Sequence, residues 1–208
     1  MSRKTLSPEY RYENAKPPHT SAYLWLNAIE LLGEPCRVLE VGCGNGAFAA
    51  YLERLGFDVV GVDSSATGIR IARARGTSCQ FECFDVYQEL PGGWLGAFDA
   101  VVSLEVIEHL YLPRVLLERA RGALRPGGAL VLSSPYHGYF KNLVLALSGR
   151  LDRHFTALWD GGHIKFFSRK TLSCLLREFG LREERWVFVG RVPPLSKSVI
   201  VRAVKPES

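Results

Sequence analysis

A glycine-rich segment flanked by carboxylates is the first place in the sequence where residue types and spacing suggest ligand chemistry. Glu40 precedes Gly42, Gly44 and Gly46, and Asp63 follows 21 residues after Gly42. Glycines can adopt positive φ and let backbone N–H groups approach a ligand at the start of a helix. A carboxylate at the position of Asp63 can accept hydrogen bonds from ribose hydroxyls. The pattern predicts a nucleotide-type cofactor, and a plain tight turn is the disfavoured alternative.

Two carboxylates distinguish between possible cofactors, because the glycine spacing also fits dinucleotide-binding loops. Glu40 lies inside the end of the first predicted strand, where its carboxylate can face an α-amino group and would repel a pyrophosphate. Asp85 follows the third predicted strand, where its carboxylate can accept a hydrogen bond from the amino group of an adenine. These two acids disfavour a nicotinamide cofactor.

A second group of reactive side chains follows the fourth predicted strand. Glu105, Glu108 and His109 are spaced i, i+3 and i+4, so a helical turn would place them on one face. Three interpretations are open. The residues can be structural, His109 can be a general base, or the three can bind a divalent metal together with His163.

The elements that must position these groups are short apolar runs that alternate with helical patterns. The predicted strands are Arg37–Val41, Asp58–Val62, Cys79–Phe84, Phe98–Leu104 and Ala129–Ser134. The predicted helices run from Thr20 or Ser21 to Gly33, over Ala47–Leu55, from a Ser64 cap to Gly76, from Pro113 to Leu124, and over Ser168–Phe179. Such alternation predicts a parallel, doubly wound α/β sheet covered on both faces.

The C-terminal pattern differs, because two predicted strands follow each other without a helix between them. Arg185–Arg191 and Lys197–Lys205 are separated by a short loop containing Pro193-Pro194. Two strands joined in this way form an antiparallel hairpin. The sequence therefore predicts a parallel sheet that ends in an antiparallel hairpin.

Length and composition exclude several classes of protein. The 208 residues, with 47% hydrophobic and 23% charged residues, are typical of one globular domain. A net charge of +5 is too small to indicate nucleic-acid binding. The five cysteines lack zinc-site spacing and predict reduced thiols in the cytoplasm. The sequence predicts neither a signal peptide nor a membrane span.

The glycine loop from Glu40 to Gly46, Asp63, the Phe84-Asp85 pair and the closing hairpin together resemble class I S-adenosylmethionine-dependent methyltransferases. The resemblance extends over roughly residues 36–205. It implies a Rossmann-like seven-stranded sheet with the order 3-2-1-4-5-7-6 and an antiparallel last strand. It also implies that the start of the loop approaches the methionine part of the cofactor, Asp63 the ribose, and Asp85 with Val86 the adenine.

S-adenosylmethionine is the cofactor that this resemblance implies. The expected cofactor-binding residues are Glu40, Gly42, Cys43, Gly44, Gly46, Asp63, Ser64, Asp85, Val86, Leu104 and Glu105.

The segment around Glu105, Glu108 and His109 resembles ubiquinone-biosynthesis O-methyltransferases and related small-molecule methyltransferases. It also resembles small-RNA 2′-O-methyltransferases, in which such carboxylates and a histidine help to hold a divalent metal. We expect His109 to be the catalytic residue, and no metal, because the sequence does not position His163 and imidazole is a poor ligand for a hard cation. An imidazole pKa near about 6.5 suits the removal of a hydroxyl proton.

Residues 135–167 form a long insertion before the last predicted helix. Together with residues 1–33, a predicted N-terminal cap, this insertion is expected to roof the cofactor within a single domain, 1–208. The aromatic and histidine residues expected in this roof are Tyr10, Tyr12, Tyr23, Trp25, Tyr136, His137, Tyr139, His154, Trp159 and His163. Ordinary packing is an equal alternative for each of them.

The sequence thus predicts an enzyme that transfers a methyl group from S-adenosylmethionine to a small molecule, with a hydroxyl oxygen as the expected acceptor atom. An NAD(P)-dependent oxidoreductase and a cofactor-binding subunit without catalysis are the alternatives. No nucleic-acid partner is expected. The sequence gives neither the identity of the acceptor nor the oligomeric state.

Overall fold

Seven strands form one mixed sheet in the order β3-β2-β1-β4-β5-β7-β6 in the computed structural model, which describes residues 10–155 and 157–207. The strands are β1 (Arg37–Val41), β2 (Asp58–Asp63), β3 (Gln80–Cys83), β4 (Phe98–Ser103), β5 (Leu124–Pro135), β6 (Arg182–Val189) and β7 (Ser198–Val204). Strands β1 to β5 pair in parallel, and β7 is antiparallel to both β5 and β6. The predicted fold class and strand order are confirmed.

Helices cover both faces of the sheet, as the alternating apolar strands require. They are α1 (Ser21–Leu32), α2 (Ala47–Arg54), α3 (Ala66–Arg73), α4 (Pro113–Ala123), α5 (Tyr139–Leu147), α6 (Leu151–Phe155) and α7 (Arg169–Glu178). Apolar residues of α1, α2 and α3 pack on one face, and those of α4 and α7 pack on the other. Neighbouring strand residues serve opposite cores, since Val38 faces the first group of helices and Leu39 the second.

Three local expectations need correction. The cap of α3 is Ser65 rather than Ser64, because the Ser65 hydroxyl accepts a hydrogen bond from the Gly68 N–H at 3.1 Å. The fifth predicted strand, Ala129–Ser134, starts earlier in the structure, because residues 124–128 also belong to β5, whose pairing with β4 shifts register and accommodates the extra residues. Helix α6 was not predicted. Residues 1–9 of the expected N-terminal cap lie outside the described residues.

Candidate functional site

A cleft of about 550 Å³ opens at the carboxyl ends of the parallel strands, the edge where open α/β sheets bind ligands. Its volume is in the usual range for small-molecule sites. Most of the residues expected to bind the cofactor line it, together with the expected catalytic histidine. These are Glu40, Gly42, Cys43, Gly44, Asp63, Ser64, Asp85, Val86, Leu104, Glu105 and His109.

Gly46 is the one expected cofactor residue that is not among those lining the cleft. Its N–H donates to the carbonyl oxygen of Cys43 at 2.9 Å, so this group is used within the turn. A Cβ at Gly46 would lie 2.7 Å from the Ala72 Cβ and 2.9 Å from the Phe81 ring, and φ is +72°. Close packing of α2 against α3 and β3 therefore explains this glycine.

The end of β2 fixes the shape of the glycine loop. The N–H groups of Gly42 and Cys43 donate to the carbonyl oxygen of Val62 at 2.8 and 3.0 Å. The Gly44 N–H donates to Oδ2 of Asp63 at 2.8 Å, and Oδ1 of Asp63 accepts from the Ser65 N–H at 2.7 Å. Asp63 thus holds the loop while each oxygen keeps a second lone pair that can face a ligand.

Glu40 is a buried carboxylate with an unused oxygen. Its Oε2 makes no hydrogen bond within the described residues. Burial, and then the nearby charge of Asp63, raise the pKa of Glu40 to about 8. An approaching cation, such as an ammonium group, would stabilise the charged form of Glu40 and supply the missing partner.

An N-terminal strap, residues 10–18, lies over this loop. The sequence predicted a cap here but not the contacts that hold it. The Nδ2 of Asn45 donates to the carbonyl oxygens of Asn14 and Lys16 at 2.9 Å each. Arg75 donates to the carbonyl oxygens of Ala15 and Asn45, which connects the strap to the loop and to the end of α3. No sequence pattern predicts these long-range contacts, although Asn45 itself lies inside the glycine loop.

Tyr12 of the strap packs closely against the glycine loop. A Cβ on Gly44 would lie 2.4 Å from the Tyr12 hydroxyl oxygen, and one on Gly68 would lie 2.9 Å from its ring. Burial and the charge of Asp63 raise the pKa of Tyr12, so its hydroxyl stays protonated. Glycine at both positions is what permits the aromatic ring to close over the loop.

Glu105 occupies the exit of β4 in a left-handed conformation with φ +56°, which is uncommon for a residue other than glycine. Its Oε1 accepts from the Ser133 hydroxyl at 2.8 Å, and its Oε2 accepts from the Ser198 hydroxyl at 3.1 Å. Burial raises its pKa to about 7. The helical turn that follows spans only Ile107–His109, so Glu105 does not share a helix face with Glu108, contrary to the i, i+3 expectation.

The ring of His109 is oriented by the insertion. Its Nδ1 lies 3.0 Å from the carbonyl oxygen of Gly161 and 3.2 Å from that of Gly162. Because carbonyl oxygens only accept hydrogen bonds, Nδ1 is the donor, and in the neutral ring Nε2 carries the lone pair. This Nε2 lies 4.0 Å from Oε1 of Glu108.

His163 and Glu108 complete a compact cluster with His109. The Nε2 of His163 lies 3.9 Å from Oε1 of Glu108, and one ligand atom from each of the three residues lies within 4.8 Å of the others. The position of His163 follows from the backbone, because the N–H groups of Ile164 and Lys165 both donate to the carbonyl oxygen of Glu108, at 2.9 and 3.0 Å. The sequence indicated His163 as a candidate metal ligand, but no sequence pattern predicted its contact with Glu108.

Glu108 is the buried acidic residue of the cluster. Its side chain is fully buried, and neither carboxylate oxygen makes a hydrogen bond within the described residues. Burial, and then the charge of Glu105, raise its pKa well above the usual range. Burial and the neighbouring His109 lower the pKa of His163 to about 4, so its ring is neutral. A buried carboxyl beside two imidazole rings can hold a proton or a cation.

Only some of the residues expected in the roof line the cleft. Of the insertion residues expected in it, only Trp159 lines the cleft, with the neighbouring Gly161, Gly162 and Ile164. Tyr10, Tyr12 and Trp25 of the N-terminal region also line it, whereas Tyr23 does not. His137 and His154 instead pack with the rings of Phe155 and Phe166.

Known proteins with similar sequences and folds are methyltransferases. A family profile described as a methyltransferase domain matches residues 12–184. The chain is 34% identical over 188 residues to the ubiquinone biosynthesis O-methyltransferase of Roseobacter denitrificans (strain ATCC 33942 / OCh 114), which covers 82% of this chain and 73% of that relative. It is 32% identical over 125 residues to the enzyme of the same name from Xanthomonas axonopodis pv. citri (strain 306), covering 57% of this chain and about half, 52%, of that relative.

The fold is also similar to that of a solved structure, the Burkholderia thailandensis 1,6-didemethyltoxoflavin-N1-methyltransferase with bound 1,6-didemethyltoxoflavin and S-adenosylhomocysteine. The TM-score is 0.65 at 21% identity, and the match covers 86% of this chain and 77% of the other. The sheet order, the glycine loop and its acids define a class I S-adenosylmethionine-dependent methyltransferase. The chain belongs to the methyltransferase-domain family, and its cofactor is S-adenosylmethionine. These similarities give no support to an oxidoreductase.

Proposed function

We propose that the protein transfers the methyl group of S-adenosylmethionine to a hydroxyl oxygen of a small molecule. The observation that carries the proposal is His109, which lines the cofactor cleft and whose Nδ1 lies within hydrogen-bond distance of the carbonyl oxygens of Gly161 and Gly162, so that Nε2 is the ring nitrogen left to accept a proton. A neutral amine can attack a methyl group before it loses a proton. A base increases the rate of attack by a hydroxyl group far more, because the hydroxyl oxygen becomes strongly nucleophilic as its proton leaves.

The reaction that follows from this geometry is a single displacement. The hydroxyl oxygen forms a bond to the methyl carbon while its proton moves to Nε2 of His109. The bond between sulfur and the methyl carbon breaks, and its electron pair stays on sulfur, which gives S-adenosylhomocysteine. Because the sulfonium methyl is already activated, alignment at about 3 Å supplies much of the acceleration, and the base adds to it.

Individual cofactor contacts follow from the chemistry of the lining residues. Glu40 faces the α-amino group, since its Oε2 has no protein partner and an ammonium group would stabilise its charge. Asp63 accepts from the ribose hydroxyls with its remaining lone pairs, and Asp85 accepts from the adenine amino group beside Val86. The other proposed contacts come from the loop and from the strand ends at Gly42, Cys43, Gly44, Ser64, Leu104 and Glu105.

The acceptor is best matched by a phenolic ring. Aromatic side chains line the cleft, among them Tyr10, Tyr12, Trp25, Tyr111 and Trp159. Such residues bind flat rings by stacking or by edge-to-face contacts. The relatives from Roseobacter and Xanthomonas are named as O-methyltransferases, which supports oxygen as the acceptor atom.

The position of the transferred methyl group tests this proposal. The purified protein, S-adenosylmethionine and catechol are expected to give an O-methylated product, detected by mass spectrometry. The matched amine, o-phenylenediamine, is expected to react at a much lower rate, because His109 is poised for a proton that the amine need not lose before attack.

A divalent cation at Glu108, His109 and His163 is a second candidate feature. The convergence of their ligand atoms within 4.8 Å and the two unpartnered oxygens of Glu108 favour it. One carboxylate and two imidazoles suit Zn²⁺ or Mn²⁺ better than Mg²⁺. When bound, such a cation would lower the pKa of a hydroxyl group by Lewis acidity.

Chelation separates the two versions of the site. If His109 acts directly as the base, EDTA should leave the rate of methyl transfer unchanged. A loss of activity in EDTA that added Zn²⁺ or Mn²⁺ reverses would assign the cluster to a cation. The same titration followed by thermal unfolding gives a readout independent of activity, because a bound cation raises the Tm.

We further infer a reducing, cytoplasmic environment, a small-molecule acceptor as the partner, and no nucleic-acid partner. All five cysteines are free, including the neighbours Cys79 and Cys83. Cysteines without disulfides are typical of reducing compartments. The modest net charge of +5 supports the absence of a nucleic-acid partner. Thiol titration of the protein purified without reductant should find five reactive thiols after unfolding.

A further inference from the structure

The N-terminal strap covers the glycine loop without forming a helix or a strand. Residues 10–18 contain no regular secondary structure, and Tyr12 is the one residue among them that is not exposed. A segment with so little buried surface and no backbone ladder of its own opens at a low free-energy cost. The closed position of the strap therefore depends on the hydrogen bonds that the rest of the protein makes to it.

Helix α3 contacts the strap at both of its ends. Just before the helix, the Ser65 hydroxyl donates to the carbonyl oxygen of Tyr10 at 2.6 Å. Just after the helix, the guanidinium of Arg75 donates to the carbonyl oxygen of Ala15. Both contacts use the backbone of the strap rather than its side chains. Residues outside the strap therefore decide whether it stays closed.

Arg75 also fixes the side chain of Asn45 in the glycine loop. Its Nε donates to the carbonyl oxygen of Asn45 at 2.5 Å, and its Nη2 donates to the Oδ1 of Asn45 at 3.2 Å. The Nδ2 of Asn45 donates in turn to the carbonyl oxygens of Asn14 and Lys16. One guanidinium thus contacts the strap at Ala15 and orients the amide that binds two further strap carbonyls. We call Arg75 and Asn45 the clasp.

The closed strap forms part of the wall of the cofactor cleft. Tyr10 and Tyr12 line the same cleft as Glu40 and Asp63. The Tyr12 hydroxyl packs so closely on Gly44 that a Cβ there would lie only 2.4 Å from it. A cofactor bound on the glycine loop would therefore lie beside the strap, and opening of the strap would expose that part of the cleft to solvent.

We propose that Arg75 and Asn45 are positioning residues that clasp the strap beside the bound cofactor, so that cofactor exchange requires release of the clasp. Hydrogen bonds from a charged guanidinium are stronger than neutral ones, so removal of Arg75 loosens the strap most. The carboxylates of Glu40 and Asp63 are unaffected by this change. The inference goes beyond the proposed function, because cofactor release is measured without a methyl acceptor.

The rate of cofactor release tests the role of the clasp. Labelled S-adenosylmethionine is bound to the full chain and chased with excess unlabelled cofactor in the absence of acceptor. R75A should release the label at least about tenfold faster than the wild type, because its charge-assisted hydrogen bonds to the strap and to Asn45 are lost. R75K keeps a charged donor but not the planar fork, so it should release the label at an intermediate rate.

Trypsin cleavage after Arg11 reports the position of the strap directly. The next residue, Tyr12, donates its N–H to the Oγ1 of Thr67 at 3.1 Å, so this peptide bond is protected while the strap is closed. S-adenosylhomocysteine should slow the cleavage in the wild type. In the presence of the same ligand, R75A should be cleaved here at least about tenfold faster, as measured by mass spectrometry of the products.

The matched control is R70A, because Arg70 is an exposed residue of the same helix. This variant should release the cofactor and be cleaved at wild-type rates. A wild-type release rate in R75A would overturn the proposal. Faster release without faster cleavage after Arg11 would also overturn it, because Arg75 would then act on the glycine loop alone.

Y12A tests the strap without changing the clasp, and it keeps the proposal testable if R75A does not fold. The substitution removes the one strap side chain that packs on the glycine loop and leaves Arg75 and Asn45 in place. Y12A should also release the labelled cofactor and be cleaved after Arg11 faster than the wild type. Wild-type rates of both in Y12A would show that the strap does not control cofactor exchange.

Discussion

Substitution of His109 by alanine is expected to lower kcat by about 100-fold or more, the usual contribution of a general base. Nε2 is the ring nitrogen left to accept a proton, because Nδ1 lies within hydrogen-bond distance of the Gly161 and Gly162 carbonyl oxygens. The Kd for S-adenosylhomocysteine should hardly change, since the cofactor loop lies on other strands. Steady-state kinetics and isothermal titration on the same preparation measure both quantities.

H109Q separates catalysis from a purely structural role. A glutamine amide can donate to the carbonyl oxygens of Gly161 and Gly162 as Nδ1–H does, but it cannot accept a proton near neutral pH. A catalytic histidine therefore predicts that H109Q is as slow as H109A. Restoration of turnover by glutamine would show that the residue only fixes the insertion over the cleft.

Substitution of Asp63 by alanine is expected to raise the Kd for S-adenosylhomocysteine by roughly 10- to 150-fold. This corresponds to about 1.5–3 kcal/mol, the range for hydrogen bonds to a charged group. The change removes both the ribose contact and the hydrogen bond that holds the Gly44 N–H at 2.8 Å. Isothermal titration with the demethylated cofactor measures the effect without turnover.

D58A is the matched control, because Asp58 begins the same strand at its opposite end. It is exposed there and paired with Arg37 at 3.5 Å. Surface pairs of this kind contribute little, so the Kd should equal that of the wild type. D63N should give an intermediate Kd, since the amide keeps one acceptor oxygen. An unchanged Kd in D63A would remove Asp63 from the proposed ribose site.

The sheet and the cofactor loop could be predicted because their signals are local. Short apolar runs such as Arg37–Val41 are bounded by glycines, and Gly42 and Gly44 carry the positive φ that such turns require. The acids at Glu40 and Asp63 end their strands, so the edge they share follows directly from a parallel sheet. Local patterns therefore located most of the candidate site.

The remaining features depend on contacts between distant segments, which no local pattern encodes. His163 meets His109 only because the backbone after it hydrogen-bonds to the Glu108 carbonyl oxygen. The strap reaches the cofactor loop through Arg75, far along the chain from Ala15. The left-handed backbone of Glu105 also broke the expected helical spacing, because the chain must leave β4 before the turn begins.

The atom that receives the methyl group tests the central claim most directly. Wild-type protein is incubated with S-adenosylmethionine carrying a deuterated methyl group and with catechol, and the product is analysed by tandem mass spectrometry. The account predicts a deuterated methyl group on oxygen, formed at a rate that falls by about 100-fold in H109A. Methylation of o-phenylenediamine at a rate equal to or above that of catechol, with H109A fully active on it, would contradict the account.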